Sequence, residues 1–124
     1  MTHSPNSMYT YDAEILSVYD GDTATATVDL GFKVSAIKVK LRFYGIDTAE
    51  IRGGTEATKL AAREARDYVK EKVLGKKVRM KSLGKGKYGR YLAIIWPVDD
   101  DGNVAEESLN DELIRLGLAK VYGE

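Results

Sequence analysis

The chain has 124 residues, 44% of them hydrophobic, which is enough for one core and too few for two ordinary domains. It has no cysteine and a single histidine, His3, which excludes disulfides, thiolate nucleophiles and cysteine-based zinc sites. Any reaction must therefore use carboxylates, arginines, lysines or tyrosines. No apolar run approaches the roughly 18 residues of a membrane span, and the polar N-terminus does not resemble a secretory signal. We expect a soluble protein with no membrane partner, cytoplasmic unless an export signal has been removed.

Positive and negative charges balance overall but separate along the chain. Nineteen Lys and Arg stand against nineteen Asp and Glu, so bulk electrostatics alone cannot hold a nucleic acid. Residues 70–90 contain nine Lys or Arg and one acid, whereas residues 99–112 contain seven acids and no base. This asymmetry predicts one basic face.

The first half of the chain predicts three strands. Residues 9–18 and 23–30 are rich in Tyr, Val, Ile and Thr, and the Asp20-Gly21-Asp22 segment between them is typical of a tight turn. Residues 37–46 form the clearest strand, because apolar and basic side chains alternate through it. The face predicted to be buried consists of Ile37, Val39, Leu41 and Phe43, and the opposite face of Lys38, Lys40 and Arg42.

The second half predicts two helices on either side of a β-hairpin. Residues 55–74 lack Gly and Pro and carry apolar side chains at helical spacing, with Thr55 as N-cap and Gly75 as stop. Residues 77–83 and 91–98 predict two strands that flank a glycine-rich loop. Asn110 precedes a short apolar stripe that ends at Gly117, which predicts a second helix with Asn110 as its N-cap.

These elements, in the order β-β-β-α-β-β-α, predict a mixed β-barrel plus helices, which is an α+β fold. We expect a five-stranded OB-fold barrel with a long helix after strand 3 and a short C-terminal helix. Residues 1–8 are expected to form a flexible tail and residues 9–124 a single domain. The protein is expected to be a monomer.

Two short carboxylates, Asp22 and Asp47, stand at the predicted ends of neighbouring strands. In a barrel both strand ends can open on one rim, where hard oxygen ligands can bind a hard cation for metal-assisted hydrolysis. Glu50, shortly after Asp47, can reach the same site. Taken alone, each segment is better explained as a hairpin turn or a solvated loop.

Arg42 and Arg90 are the arginines that can meet these carboxylates. Arg42 lies on the polar face of the third strand, where its guanidinium can offer forked donors to a phosphate. Arg90 ends the glycine-rich segment at residues 85–90. Each arginine alone is better explained as a surface or salt-bridging side chain. The functional argument therefore depends on the whole combination.

The combined pattern resembles the staphylococcal nuclease (thermonuclease) family. Three ordered blocks carry the resemblance: VYDGDT at residues 18–23, LRFYGIDTAE at residues 41–50 and KYGRYLA at residues 87–93. Residues 109–121 resemble the family's closing helix and strand, so the similarity covers nearly everything from residue 11 to residue 121. Four blocks in the right order are far more specific than any one of them.

The resemblance implies a calcium-dependent endonuclease that uses one Ca²⁺. Asp22 and Asp47 would bind the ion through their carboxylates, and the Thr48 backbone carbonyl would add a further ligand. Glu50 would act on the attacking water as general base or as its positioner. The ion would serve as Lewis acid and template.

The resemblance also implies the phosphate-binding residues. Arg42 and Arg90 would be catalytic, binding the scissile phosphate and stabilising the charge of a pentacoordinate transition state. Lys87 and Tyr88 match positions that contact the nucleotide's terminal phosphate, so they are candidate substrate-binding residues.

The chain departs from the family in two places. Ala49 stands where the family commonly has proline, which implies a less rigid loop before Glu50. The family's C-terminal tyrosines that flank the base are largely missing, and Tyr122 either supplies part of that surface or closes the barrel. The base preference is therefore not predicted.

The resulting hypothesis is hydrolysis of phosphodiester bonds in DNA and RNA, single-stranded or frayed, by in-line attack of water. One alternative is a non-catalytic nucleic-acid-binding OB module, which would be expected to lose one or more of the matched catalytic and metal positions. Another alternative is a protein-interaction domain that uses the acidic residues 99–112.

Overall fold

The computed structural model describes residues 9–49 and 55–122. The barrel strands are β1 (Thr10–Asp20), β2 (Thr23–Asp29), β3 (Ser35–Phe43), β5 (Lys77–Lys85) and β6 (Tyr91–Pro97). Two short strands, β4 (Ile46–Asp47) and β7 (Lys120–Val121), pair with each other, and the helices are α1 (Glu56–Val73) and α2 (Leu109–Arg115). The five barrel strands close in the order β1-β2-β3-β6-β5. The predicted element order and the α+β barrel are confirmed.

A parallel seam between β3 and β6 closes the barrel, whose other neighbouring strands are antiparallel. In this seam Arg42 is the register partner of Leu92, and Leu41 that of Tyr91. The end of β3 therefore lies beside the start of β6. This seam brings the block around Arg42 next to the block that contains Arg90.

The core fills the barrel and extends under both helices. In α1 the fully buried positions are Ala62, Ala65, Val69 and Val73, which recur at helical spacing and form one apolar face. The Thr55 hydroxyl caps α1 by accepting a hydrogen bond from Thr58 N at 3.2 Å. The helix ends just before Gly75, whose φ of +71° terminates it. The predicted cap and stop of this helix are confirmed.

The predicted N-cap of α2 is wrong. Ser108 caps this helix, because its hydroxyl accepts a hydrogen bond from Asp111 N at 3.1 Å. Asn110 lies inside the helix and is 3% exposed. Its amide joins α2 to the barrel instead of capping it, as described below. The end of the helix is as predicted, since Gly117 follows it with a φ of +76°.

The predicted third strand is wrong at both ends. Leu41 and Phe43 are buried as expected, but Ile37 is 70% exposed. Lys38 has a φ of +54°, which interrupts the alternation, and the β2–β3 pairing shifts register here, with one extra residue in β3. At the other end the chain turns at Gly45, and Ile46–Asp47 becomes the separate strand β4.

Some expectations concern residues or properties that the structure does not describe. The tail at residues 1–8 is outside the described residues, so its flexibility stays a prediction, as do the single-domain and monomer assignments. Neither helix in the described ranges is long and apolar enough to cross a membrane.

Candidate active site

Asp22 is a buried carboxylate in the tight turn between β1 and β2. Its Oδ2 accepts a hydrogen bond from Thr48 N at 3.0 Å, and its Oδ1 accepts one from the Thr23 hydroxyl at 3.0 Å. Gly21 leaves no room for a side chain, because a Cβ there would lie 2.8 Å from the Ala65 Cβ in α1. The turn is therefore packed against α1, and the carboxylate is held in one place.

Arg42, at the end of β3, links Asp22 to Asp47. Its Nη1 donates to the carbonyl oxygens of Phe43 and Ile46 at 3.0 and 2.9 Å, and lies 3.4 Å from Asp22 Oδ2. Its Nη2 lies 3.5 Å from Asp47 Oδ1. Only 15% of the Arg42 side chain is exposed. The guanidinium is thus anchored by backbone carbonyls and holds carboxylates from two different turns together.

Asp47 and Thr48 are placed by the small sheet of β4 and β7. Asp47 is the register partner of Lys120, and its side chain is 55% exposed, so it faces the opening of the site. Thr48 is 5% exposed. Its hydroxyl oxygen is buried without a hydrogen-bond partner among the described residues. Thr48 therefore also contains a buried hydroxyl oxygen whose acceptor capacity no described residue uses.

Arg90 follows a single 3₁₀ turn, Lys87–Gly89, at the tip of the β5–β6 hairpin. Gly86 N donates to Arg90 O at 2.6 Å, which closes the hairpin just before β6. Tyr88 has a φ of +60° and its ring centroid lies 5.4 Å from the Arg90 guanidinium. Arg90 Nε also lies 3.5 Å from Lys87 O. The Arg90 side chain is therefore held against the turn that precedes it.

A cleft of about 480 Å³ connects the two arginines. Its walls include Arg42, Tyr44, Lys87, Arg90 and Tyr122. The Tyr122 ring centroid lies 5.4 Å from the Arg42 guanidinium, and Tyr122 N donates to Gly45 O at 3.0 Å. One open cleft therefore combines three cations and two aromatic rings, which are groups that bind phosphates and bases.

Comparison with known proteins agrees with this geometry. A family described as staphylococcal nuclease homologue matches residues 40–124. The chain belongs to this family. A thermonuclease from Staphylococcus hyicus is 29% identical over 109 residues, which cover 86% of this chain. The chain spans 57% of the length of that relative.

The donor set at Asp22 fits a hard cation of the kind that the staphylococcal nuclease family implies. The carboxylates of Asp22 and Asp47 both contact the Arg42 guanidinium. The buried hydroxyl oxygen of Thr48 has no hydrogen-bond partner among the described residues. Oxygen donors of this kind are preferred by Ca²⁺. Within residues 9–49 and 55–122 no group of three acidic, His or Cys side chains converges. Any third carboxylate would therefore have to come from outside these ranges.

The structure brings most of the predicted site residues together. Asp22, Arg42, Asp47 and Thr48 are in direct contact, and Arg42 shares the cleft with Lys87 and Arg90. Tyr88 is 85% exposed and reaches the cleft only through its contact with Arg90. Glu50 lies outside the described residues.

Sequence reasoning missed one contributor to the cleft and left the place of another open. Tyr44 follows β3 in the turn that ends at Gly45, and it lines the cleft although it was given no role within the block at residues 41–50. Tyr122 was open between stacking and barrel closure, and its position over Arg42 follows from the pairing of β7 with β4. A two-residue strand leaves no periodic signal in the sequence, so its consequence for Tyr122 was not predictable.

Proposed function

We propose that this chain is a calcium-dependent nuclease that hydrolyses phosphodiester bonds in single-stranded or frayed DNA and RNA. The observation that carries the proposal is Arg42, which contacts both Asp22 and Asp47 and lines the cleft that also contains Arg90. The carboxylates that would bind the cation are thus in contact with the arginine that would bind the phosphate. Membership of the staphylococcal nuclease homologue family and the likeness to a thermonuclease support the same reaction.

The cation would be held by Asp22, Asp47 and the Thr48 backbone carbonyl. When bound, Ca²⁺ supplies Lewis-acid polarisation of a phosphoryl oxygen. Asp22 suits this task because the Thr48 amide and the Thr23 hydroxyl already fix its orientation. Asp47, being half-exposed, faces the side from which substrate arrives.

Arg42 and Arg90 bind the scissile phosphate and stabilise the negative charge that builds up as water attacks phosphorus and the bond to the leaving oxygen breaks. Arg42 Nη1 is fixed by two carbonyl oxygens. Nη2 is therefore the nitrogen that can donate a hydrogen bond to a phosphate, because its contact with Asp47 is long, at 3.5 Å. Arg90 is held less tightly, so substrate binding is expected to order it.

The remaining roles follow from the family pattern. Glu50 takes the proton of the attacking water or positions that water, a role that agrees with its place three residues after Asp47. Lys87 lines the cleft and Tyr88 contacts Arg90, which supports a role for both residues in binding a neighbouring phosphate.

The proposal is tested by cleavage of denatured DNA and of RNA, with millimolar Ca²⁺ and with a chelator. Cleavage is expected only with Ca²⁺. Glu50→Gln and Arg90→Ala are each expected to lower kcat/KM at least about 100-fold, the scale for loss of a general base or of a charge-stabilising donor. Arg79→Ala is the matched control, because Arg79 pairs with Asp12 on the barrel wall and does not line the cleft.

Two results would overturn parts of this assignment. Cleavage that survives in the chelator would remove the calcium requirement, and wild-type rates in Glu50→Gln would remove that residue's role. Oligonucleotide binding by folded protein without cleavage under any metal would favour the non-catalytic OB module instead.

A further inference from the structure

The connection between β2 and β3, together with the start of β3, exposes four large apolar side chains within eight positions. Leu30, Phe32, Val34 and Ile37 are 50%, 102%, 53% and 70% exposed, and we call them the apolar tip. Single exposed apolar residues are ordinary on a protein surface, but a contiguous group marks an interaction site. The tip thus needs a partner that covers it.

The hairpin holds the tip in a defined conformation. Leu30 N donates to Val34 O at 2.8 Å, Val34 N donates to Gly31 O at 2.9 Å, and Gly31 N donates to the Asp29 carboxylate at 2.8 Å. Phe32 has a φ of +57°, a conformation that large side chains rarely adopt. The turn therefore holds Phe32 with its ring in solvent and its backbone in an unfavourable conformation.

Three lysines stand near the apolar tip. Residues 30–40 contain Lys33, Lys38 and Lys40 and no acid, and the preceding Asp29 carboxylate is bound to Gly31 N in the turn. Lys33, Lys38 and Lys40 are all exposed, and Lys33 adjoins Phe32 in the turn. A partner of this surface must therefore offer negative charge next to apolar material.

An anionic lipid bilayer matches these requirements better than the other candidates. Bases stack on aromatic rings, but Leu30, Val34 and Ile37 are aliphatic and suit acyl chains. A second copy of the chain would bring like-charged lysines together. An apolar hollow of about 260 Å³ also opens beside Leu30 and extends the surface available to acyl chains.

We propose that the apolar tip inserts into the surface of an anionic lipid bilayer while Lys33, Lys38 and Lys40 contact headgroup phosphates. This is attachment to the membrane surface, and it does not require a spanning helix, of which there is none in the described residues. The tip lies at the opposite end of the β2–β3 ladder from Arg42, since Asp29 pairs with Ser35 and Thr23 pairs with Arg42. The active-site cleft would stay open to substrate in the bound protein.

Co-flotation with vesicles tests the proposal. The native protein is expected to float with phosphatidylcholine vesicles that contain phosphatidylglycerol, and not with phosphatidylcholine alone. The double variant Phe32→Asn, Ile37→Ser is expected to lower the partition coefficient at least about tenfold through lost apolar burial. Each of Lys33→Gln, Lys38→Gln and Lys40→Gln is expected to lower it about fivefold.

The variants are chosen to keep the fold intact. Asn tolerates the positive φ of residue 32, and cleavage activity should be unchanged because the tip is remote from the cleft. Leu60→Gln is the matched control, since Leu60 is 55% exposed on α1 and its change should leave flotation unaltered.

Three results would overturn the proposal. The first is no flotation of the native protein with the anionic vesicles. The second is flotation that is equal in the tip variants and the native protein. The third is a tip-dependent dimer in solution, or tip-dependent oligonucleotide binding without vesicle binding, which would assign the tip to a second copy or to nucleic acid.

Discussion

Arg42 depends on the shape of its guanidinium as well as on its charge. Nη1 reaches two carbonyl oxygens and Asp22, while Nη2 reaches Asp47. A lysine ammonium cannot reproduce this fork. We predict that Arg42→Lys lowers kcat/KM for a single-stranded oligonucleotide at least about 100-fold, the scale for loss of one charge-stabilising donor.

The control for this prediction is Arg79→Lys, which changes an exposed arginine paired with Asp12 at 2.7 Å. This variant should cleave at the native rate. If Arg42→Lys also retained the native rate, positive charge alone would be sufficient at position 42 and the proposed forked contact would be wrong.

Asn110 is a second residue whose side chain has a defined task. Its Oδ1 accepts from Ile95 N at 3.0 Å, and its Nδ2 donates to Tyr44 O at 2.9 Å and Ala93 O at 3.1 Å. Asn110→Ala removes the Asn110 partner of Ile95 N and Tyr44 O, whereas Ala93 O keeps its hydrogen bond from Tyr44 N at 2.8 Å. We predict a loss of about 3 kcal/mol in the free energy of unfolding, measured with urea.

Asn103 is the matched control, because it lies in the exposed turn after β6. Asn103→Ala should change the free energy of unfolding by less than about 1 kcal/mol. Equal effects of the two substitutions would show that the three contacts of Asn110 do not stabilise the fold as argued.

At the scale of single residues, the sequence indicated which side chains are candidates for function better than it indicated which groups they contact. Asp22, Arg42 and Arg90 could be singled out because their chemistry is recognisable within ordered blocks. Asn110 was given the wrong task because Asn is a common N-cap, and nothing local shows that its amide meets β6 and the turn after β3. Such long-range contacts are visible only in the folded chain.

At the scale of elements, α1 and α2 are joined by a polar contact at their packing face. The Tyr68 hydroxyl of α1 donates to Glu112 of α2, and Lys72 Nζ lies 3.2 Å from the same carboxylate oxygen. Glu112 is only 7% exposed. Its charge is therefore compensated by partners from the neighbouring helix.

This contact predicts a loss of stability in alkali. The hydrogen bond to Glu112, together with desolvation, raises the pKa of Tyr68 to about 12 from its ordinary value of 10.0. The pKa is higher in the folded state, so the stabilisation is fully present below pH 10 and is lost as the pH rises towards 12. We predict that this loss is absent in Tyr68→Phe, compared by urea unfolding at pH 8 and pH 11.

Tyr19 provides the control, because it is 60% exposed on β1. Tyr19→Phe should show the same alkaline loss as the native protein. If Tyr68→Phe lost as much stability between pH 8 and pH 11 as the native protein, the loss would come from groups other than Tyr68.

The elements themselves could be predicted wherever they are long. The helix at residues 55–74 and the barrel strands follow from periodicity, caps and turn residues. The split of the third strand could not be predicted, because Ile46–Asp47 becomes a separate strand only through its partner Lys120–Val121. That pairing places Asp47 and Tyr122, so part of the candidate active site depends on the least predictable element.

At the scale of the whole molecule, positive charge is found at both ends of the barrel, which are the two surfaces with proposed functions. One end has the cleft with Arg42, Lys87 and Arg90, and the other has the lysines of the apolar tip. The chain as a whole is neutral, so neither surface gains from long-range attraction by net charge. Binding at each end must come from local contacts, because at about 0.1 M salt the interactions between exposed charges more than about 10 Å apart are largely screened.

Substrate binding should therefore depend only weakly on salt. Single-stranded nucleic acid loses affinity with a logarithmic slope of about 0.7 for each phosphate contacted, so three cleft cations predict that log KM rises with log salt with a slope of about 2. Lys87→Gln should lower this slope by about 0.7 with little change in kcat, whereas Lys33→Gln at the far end should leave it unchanged. A much steeper slope for the native protein would contradict this prediction. It would show that other basic residues of 70–90, outside the cleft, also bind the substrate.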